Sequence, residues 1–162
     1  MLWLFKVGDK IVYPMYGVGI IDEIEVEEGN DEKESHYLIR IPKGSLKIKV
    51  AAKKTDVIGI REISCEEEID KAIATVSEMP ISIQTNWNIR YKENLEKIRS
   101  GKLIDVMEVS RNLMLRERER GLSGAEKKML TNSKQIVVSE VEYAKEISGE
   151  EAEEYLAKML LS

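Results

Sequence analysis

The segment Thr85-Asn-Trp-Asn-Ile-Arg-Tyr-Lys92 places a large planar ring among small polar groups and two cations. That mixture suits nucleic acid. An indole can stack on or wedge against a base, and Arg90 and Lys92 can clamp the phosphate backbone. Trp87 falls at the expected mouth of a helix, where free amides favour phosphate. Periodicity argues the other way. Trp87, Tyr91, Leu95 and Ile98 recur at i, i+4, i+8 and i+11, so spacing alone puts Trp87 on a core stripe. A second basic set, Arg116, Arg118 and Arg120, alternates with Glu117 and Glu119, the usual composition of a solvated helix face. It runs into a tight joint, Gly121 to Gly124. Lys127 and Lys128 follow in the first turn of the next helix, whose amides could face phosphate.

A third candidate is the strand Leu46-Lys-Ile-Lys-Val50. Leu46, Ile48 and Val50 share one face, and Lys47 and Lys49 share the other. Lysines on an exposed strand often serve only to block edge aggregation. The functional alternative is an edge that pairs its backbone with another sheet while Lys47 and Lys49 supply charge complementarity.

Catalysis finds little support. His36 is the single histidine and lies inside an expected strand. No Ser, Thr or Cys sits in a motif that would activate it. The eight acids of residues 22–34 belong to a hairpin loop and its flanks and lack the alternation of a calcium loop. Gly17-Val-Gly19 has no following helix and reads as a turn. We therefore expect no enzyme, no metal and no cofactor. Cys65 is alone, which excludes an intrachain disulfide and suggests a reducing, cytoplasmic setting. No apolar run approaches the ~20 residues of a membrane span. Met1–Lys6 lacks the features of a signal peptide and is expected to be a strand.

These residues need a frame to hold them. With 162 residues, 43% hydrophobic and 34% charged, the chain can fill one domain or two small ones. Its net charge of −5 hides segregation: residues 84–134 carry 12 Lys and Arg against 7 Asp and Glu. Any nucleic-acid contact is therefore confined to a patch. The first 60 residues alternate as strands at Lys10–Tyr13, Gly17–Val26, Tyr37–Ile41, Leu46–Val50 and Val57–Ile60, broken by turn residues. From Ser64 the period becomes helical. Ser64-Cys-Glu-Glu67, Ser123-Gly-Ala-Glu126 and Ser148-Gly-Glu-Glu151 have the form of capping boxes. Helices are expected at about 65–78, 87–99, 103–119, 124–146 and 149–161, with a non-helical connector from Met79 to Thr85. The fold class is α+β with two domains. Residues 1–61 form a small Tudor-like or SH3-like β-barrel, and residues 62–162 form an all-α domain of about five helices.

Phe5-Lys-Val-Gly-Asp-Lys-Ile-Val-Tyr-Pro14, followed by Tyr16-Gly-Val-Gly19, resembles the opening of the CarD family of bacterial transcription regulators. The transcription-repair coupling factor shares that module. Thr85–Lys97 and Glu119–Leu130 are similar to the family's helical-domain motifs, which the coupling factor lacks. The resemblance runs along nearly the whole chain. It implies that the N-terminal domain docks on the β subunit of RNA polymerase through Lys47, Ile48, Lys49 and Val50, with Lys49 at a basic family position. It implies that Trp87 is exposed and wedges into the minor groove at the upstream edge of the promoter bubble, stabilising the open complex. Arg90, Lys92 and Lys127 match positions that contact the DNA backbone. Two features depart from the pattern: the hairpin Glu27–Glu34 is strongly acidic, and Ile89 stands where some relatives carry Arg. A monomer is expected. The alternative reading is a purely protein–protein adaptor on RNA polymerase that does not touch DNA.

Overall fold

The computed structural model describes residues 4–26, 35–81 and 84–161. The chain divides into two units, Met1–Ile63 and Ser64–Ser162. The first holds five strands in one antiparallel sheet: β1 (Lys10–Tyr13), β2 (Gly17–Glu25), β3 (His36–Ile41), β4 (Leu46–Ala51) and β5 (Arg61–Glu62). Their spatial order is β4-β3-β2-β1-β5, so β4 and β5 are the edges. Register follows from alternation. Tyr37, Ile39 and Ile41 of β3 point to one face, with Ile39 opposite Ile21 on one side and Ile48 on the other. They join Ile11, Ile21, Val50 and Ile60 in the core. Gly19 lets these side chains close over β2, since a methyl there would stand 2.6 Å from Cγ2 of Ile39.

Two local expectations change, and one is not tested. Leu4 to Lys6 are not strand; Phe5 instead plugs the core, its ring edge-on to Tyr37 at 5.7 Å and its amide donating to the Tyr37 hydroxyl. Val57–Ile60 does not form the last strand. A 3-10 turn at Ala52–Lys54 leads into a short helix, α1 (Thr55–Ile58), which Gly59 ends in the left-handed conformation at φ 92°. Val57 is consequently solvent-exposed, and β5 begins only at Arg61. The expected hairpin at Glu27–Glu34 lies outside the described residues.

The second unit is five helices: α2 (Glu66–Glu78), α3 (Trp87–Ser100), α4 (Leu103–Arg120), α5 (Gly124–Lys145) and α6 (Gly149–Leu161). With the sheet unit before it, the chain has the expected α+β two-domain class. Helix α5 packs against all four others and is buried on every side over Ile136–Val141, as a central helix must be. The first capping box is shifted by one residue. Cys65 is the N-cap and its amide donates to Glu68 Oε1, because the Ser64 amide is taken by the buried Glu140 carboxylate at 2.7 Å. Ser148 and Glu151 form the reciprocal box that starts α6.

Candidate nucleic-acid and partner interfaces

Asn86 caps α3, its side-chain oxygen accepting from the Ile89 amide at 3.1 Å. Trp87 is therefore the first helical residue, and it is 40% exposed. It does not extend the core stripe. The α3 residues turned inward are Arg90, Asn94 and Ile98, of which only Ile98 belongs to the apolar spacing. Trp87 stacks on Tyr91 with ring centroids 5.1 Å apart and planes 18° apart. Its indole N–H donates to Ser123 Oγ at 3.0 Å. The ring is thus held along one face and one edge, and the remainder is open to solvent.

Ser123 is the N-cap of α5. Its oxygen also accepts from the Glu126 amide, and its hydroxyl reaches Glu126 Oε1 at 3.3 Å. Glu126 does not return to the Ser123 amide as a reciprocal box would. It turns to Arg90, accepting from Nε at 2.8 Å and from Nη2 at 3.2 Å. Arg90 Nη1 then donates to the carbonyls of Gln84 and Thr85. The pair is dry, with side-chain exposures of 8% and 3%. Burial pushes the Glu126 carboxyl up. The hydrogen bonds and charge of Arg90, helped by Ser123 and Arg116, outweigh it and hold the group below the usual carboxylate range. Arg90, expected to meet a phosphate, is instead spent on this network. Its burial leaves it a strut that fixes the starts of α3 and α5.

A second buried guanidinium, which the sequence did not single out, anchors the other end of the connector. Arg111 on α4 is 2% exposed. Its Nη1 donates to the carbonyls of Val76 and Met79, and its Nη2 donates to Pro80 and to the Asn112 side chain. It satisfies carbonyls freed where α2 ends, at the negative pole of that helix. Burial lowers its pKa, and the Glu108 charge opposes that shift. The one sequence clue is an arginine standing in the buried run between Val109 and Leu113.

Lys92 on α3 and Lys127 in the first turn of α5 are exposed. Ile89 is also exposed, at 44%. In the first unit, β4 keeps its alternation. Lys47 and Lys49 face solvent, Ile48 is half-buried and Val50 is in the core. Val50 can therefore offer a partner only its backbone on the free edge of β4. Lys49 pairs with Glu25 of β2 at 3.0 Å. Such an exposed pair is worth at most ~1 kcal/mol and is easily exchanged for another partner. Among the described residues no His, Cys, Asp or Glu cluster could hold a metal ion, and no helix is long and apolar enough to cross a membrane.

Comparison with known proteins gives two family matches in chain order. The model described as the CarD-like/TRCF RID domain covers residues 5–64, and the one described as the CarD C-terminal domain covers residues 60–157. A Bacillus subtilis (strain 168) protein, YdeB, is 32% identical over 152 residues, spanning 94% of this chain and 99% of its own. Its name marks it as a candidate transcription factor.

Proposed function

This chain belongs to the CarD family of transcription regulators and carries its RNA polymerase-interacting domain, and we propose that it stabilises the open promoter complex by gripping polymerase and the upstream bubble edge together. The N-terminal unit binds the polymerase β subunit along the edge strand β4. Its backbone extends a sheet of the partner, and Lys47 and Lys49 supply charge. The helical unit meets the upstream fork of promoter DNA. Trp87 wedges between bases in the minor groove, and Lys92 and Lys127 approach the phosphates on either side. Arg90 leaves the set of DNA contacts and acts through Trp87, by holding the helix that carries it.

The observation that carries this reading is Trp87: a half-exposed indole at a helix start, held by Tyr91 and Ser123 rather than free to rotate. A wedge that is already oriented loses little side-chain freedom on insertion. Tethering through polymerase raises the local DNA concentration, so the intrinsic DNA affinity can be weak. A wedge preferring the distorted junction over closed duplex by ~1.4 kcal/mol shifts the equilibrium about tenfold.

The test measures open-complex lifetime on a promoter with RNA polymerase and full-length protein. Trp87→Ala should fold and still bind polymerase but leave the lifetime unaltered from that of polymerase alone. Lys49→Glu should fail in a pull-down with the β subunit. A Trp87→Ala protein that acts like wild type would remove the wedge and favour the purely protein–protein adaptor.

A further inference from the structure

The three cations of β3 and β4 (Arg40, Lys47 and Lys49) stand in two different conditions. Arg40 lies between Ile20 of β2 and Lys47 of β4 in register. Its Nε donates to both carboxylate oxygens of Asp22, at 3.2 and 3.3 Å. Lys49 pairs with Glu25 at 3.0 Å. Lys47 has no ion-pair partner among the described residues, and its neighbour across the ladder is another cation, Arg40. Two acids of β2 thus hold two of these cations and leave Lys47 uncommitted.

The Lys49 pair is not the one that register alone would give. Leu38 stands opposite Glu23 on one side and Lys49 on the other, so the carboxylate in line with Lys49 is that of Glu23. Lys49 instead reaches diagonally over β3 to Glu25, whose own row is His36 and Ala51. Strand β2 lies two strand spacings, roughly 10 Å, in from β4. The ammonium is therefore drawn over the sheet and away from the free edge. A partner strand adding to β4 would lie on the far side of β4 from Glu25. Lys49 must then swing outward, and its pair with the partner replaces its pair with Glu25.

We propose that Glu25 is an internal competitor for Lys49, one that a carboxylate on the polymerase strand must displace, and that it thereby sets the affinity of the β4 edge. This rests on the reading of β4 as the edge that binds polymerase. Lys47 engages without any such displacement. A strand without a carboxylate draws nothing from Lys49, because Glu25 keeps it, so the competitor restricts the edge to acidic partners. The ceiling for an exposed ion pair corresponds to about fivefold in affinity, which bounds what releasing Lys49 can gain.

The test measures the affinity of the full-length protein for RNA polymerase at physiological salt. Glu25→Gln should bind roughly two- to fivefold more tightly than wild type. Glu23→Gln removes an equal charge from β2 but releases no lysine, and should change affinity by less than about twofold, because exposed charges are screened at that salt. In a Lys49→Gln background, Glu25→Gln should gain no more than Glu23→Gln does. Unchanged or weaker binding by Glu25→Gln, an equal gain from Glu23→Gln, or a gain that survives Lys49→Gln would each overturn the competitor. Lys47→Gln separates this failure from that of the underlying reading. Weakened binding in Lys47→Gln with Glu25→Gln unchanged leaves the β4 edge standing without the competitor. Lys47→Gln and Lys49→Gln that both bind like wild type overturn the edge and the competitor together.

Discussion

Replacing Glu126 by Gln tests whether the Arg90 strut holds the Trp87 surface together. The substitution keeps the shape of the side chain and removes its charge. Arg90 is then a cation at 8% side-chain exposure with no counter-charge and a weakened two-point contact. Breaking a buried pair from one side costs about 3–5 kcal/mol. The total stability of a domain is only ~5–15 kcal/mol. With a urea dependence of roughly 2 kcal/mol per molar, the unfolding midpoint should fall by about 2 M. Far-UV circular dichroism reads this transition well, because helices α2–α6 all belong to the second unit. The double variant Arg90→Met/Glu126→Leu removes both charges and should recover most of the loss, since an apolar pair of similar volume replaces a buried ion pair at little cost. Acid gives an independent check. The Glu126 carboxyl is held below its ordinary 4.5 in the folded chain. Its contribution is therefore complete above that value and is lost as pH falls through the lowered folded pKa. Glu126→Gln should lack this component of acid sensitivity. A midpoint shift under ~0.5 M for Glu126→Gln, or a double variant no more stable than the single, would refute the strut.

Other consequences follow from the same geometry. Arg111→Met keeps the aliphatic stem but takes this donor from the Met79 and Pro80 carbonyls and leaves Val76 only the Met79 amide, so the helical unit should lose about 2 kcal/mol or more by urea unfolding. Gly19→Ala should cost the N-terminal unit about 1–3 kcal/mol in thermal or urea unfolding, because Ile39 and Ile41 already stand where the methyl would go.

Much of this architecture is written locally. Strand alternation at Leu46–Val50 sets which side chains face the core and which lysines face solvent, because a pleated strand has a period of two. Helix starts at Ser123 and Ser148 are legible because each cap oxygen and the amide that donates to it lie three residues apart. The Val57–Ile60 run misleads for a local reason too. Its β-branched residues favour a strand, yet Gly59 terminates a helical turn there, and the short apolar run fits either reading. The Ser64 box slips by one because a partner 76 residues away takes the Ser64 amide.

What the sequence determined by itself about Trp87 was its place at the start of a helix, among polar and basic neighbours. Whether it faced the core or solvent was beyond it. Helical periodicity counts apolar residues, and it assigned the inward face to Trp87, Tyr91, Leu95 and Ile98. Folding turned Arg90, Asn94 and Ile98 inward instead, because Glu126, 36 residues on, supplies the charge and acceptors that make a buried guanidinium tolerable. The two sets share Ile98, and at ~100° per residue their mean directions differ by only about 55°. This turn of the helix does not by itself expose the indole. Trp87 is the first helical residue, with no turn of α3 ahead of it to cover its ring. The inward turn of Arg90 is thus decided by a long-range ion pair, which spacing along a single helix cannot encode.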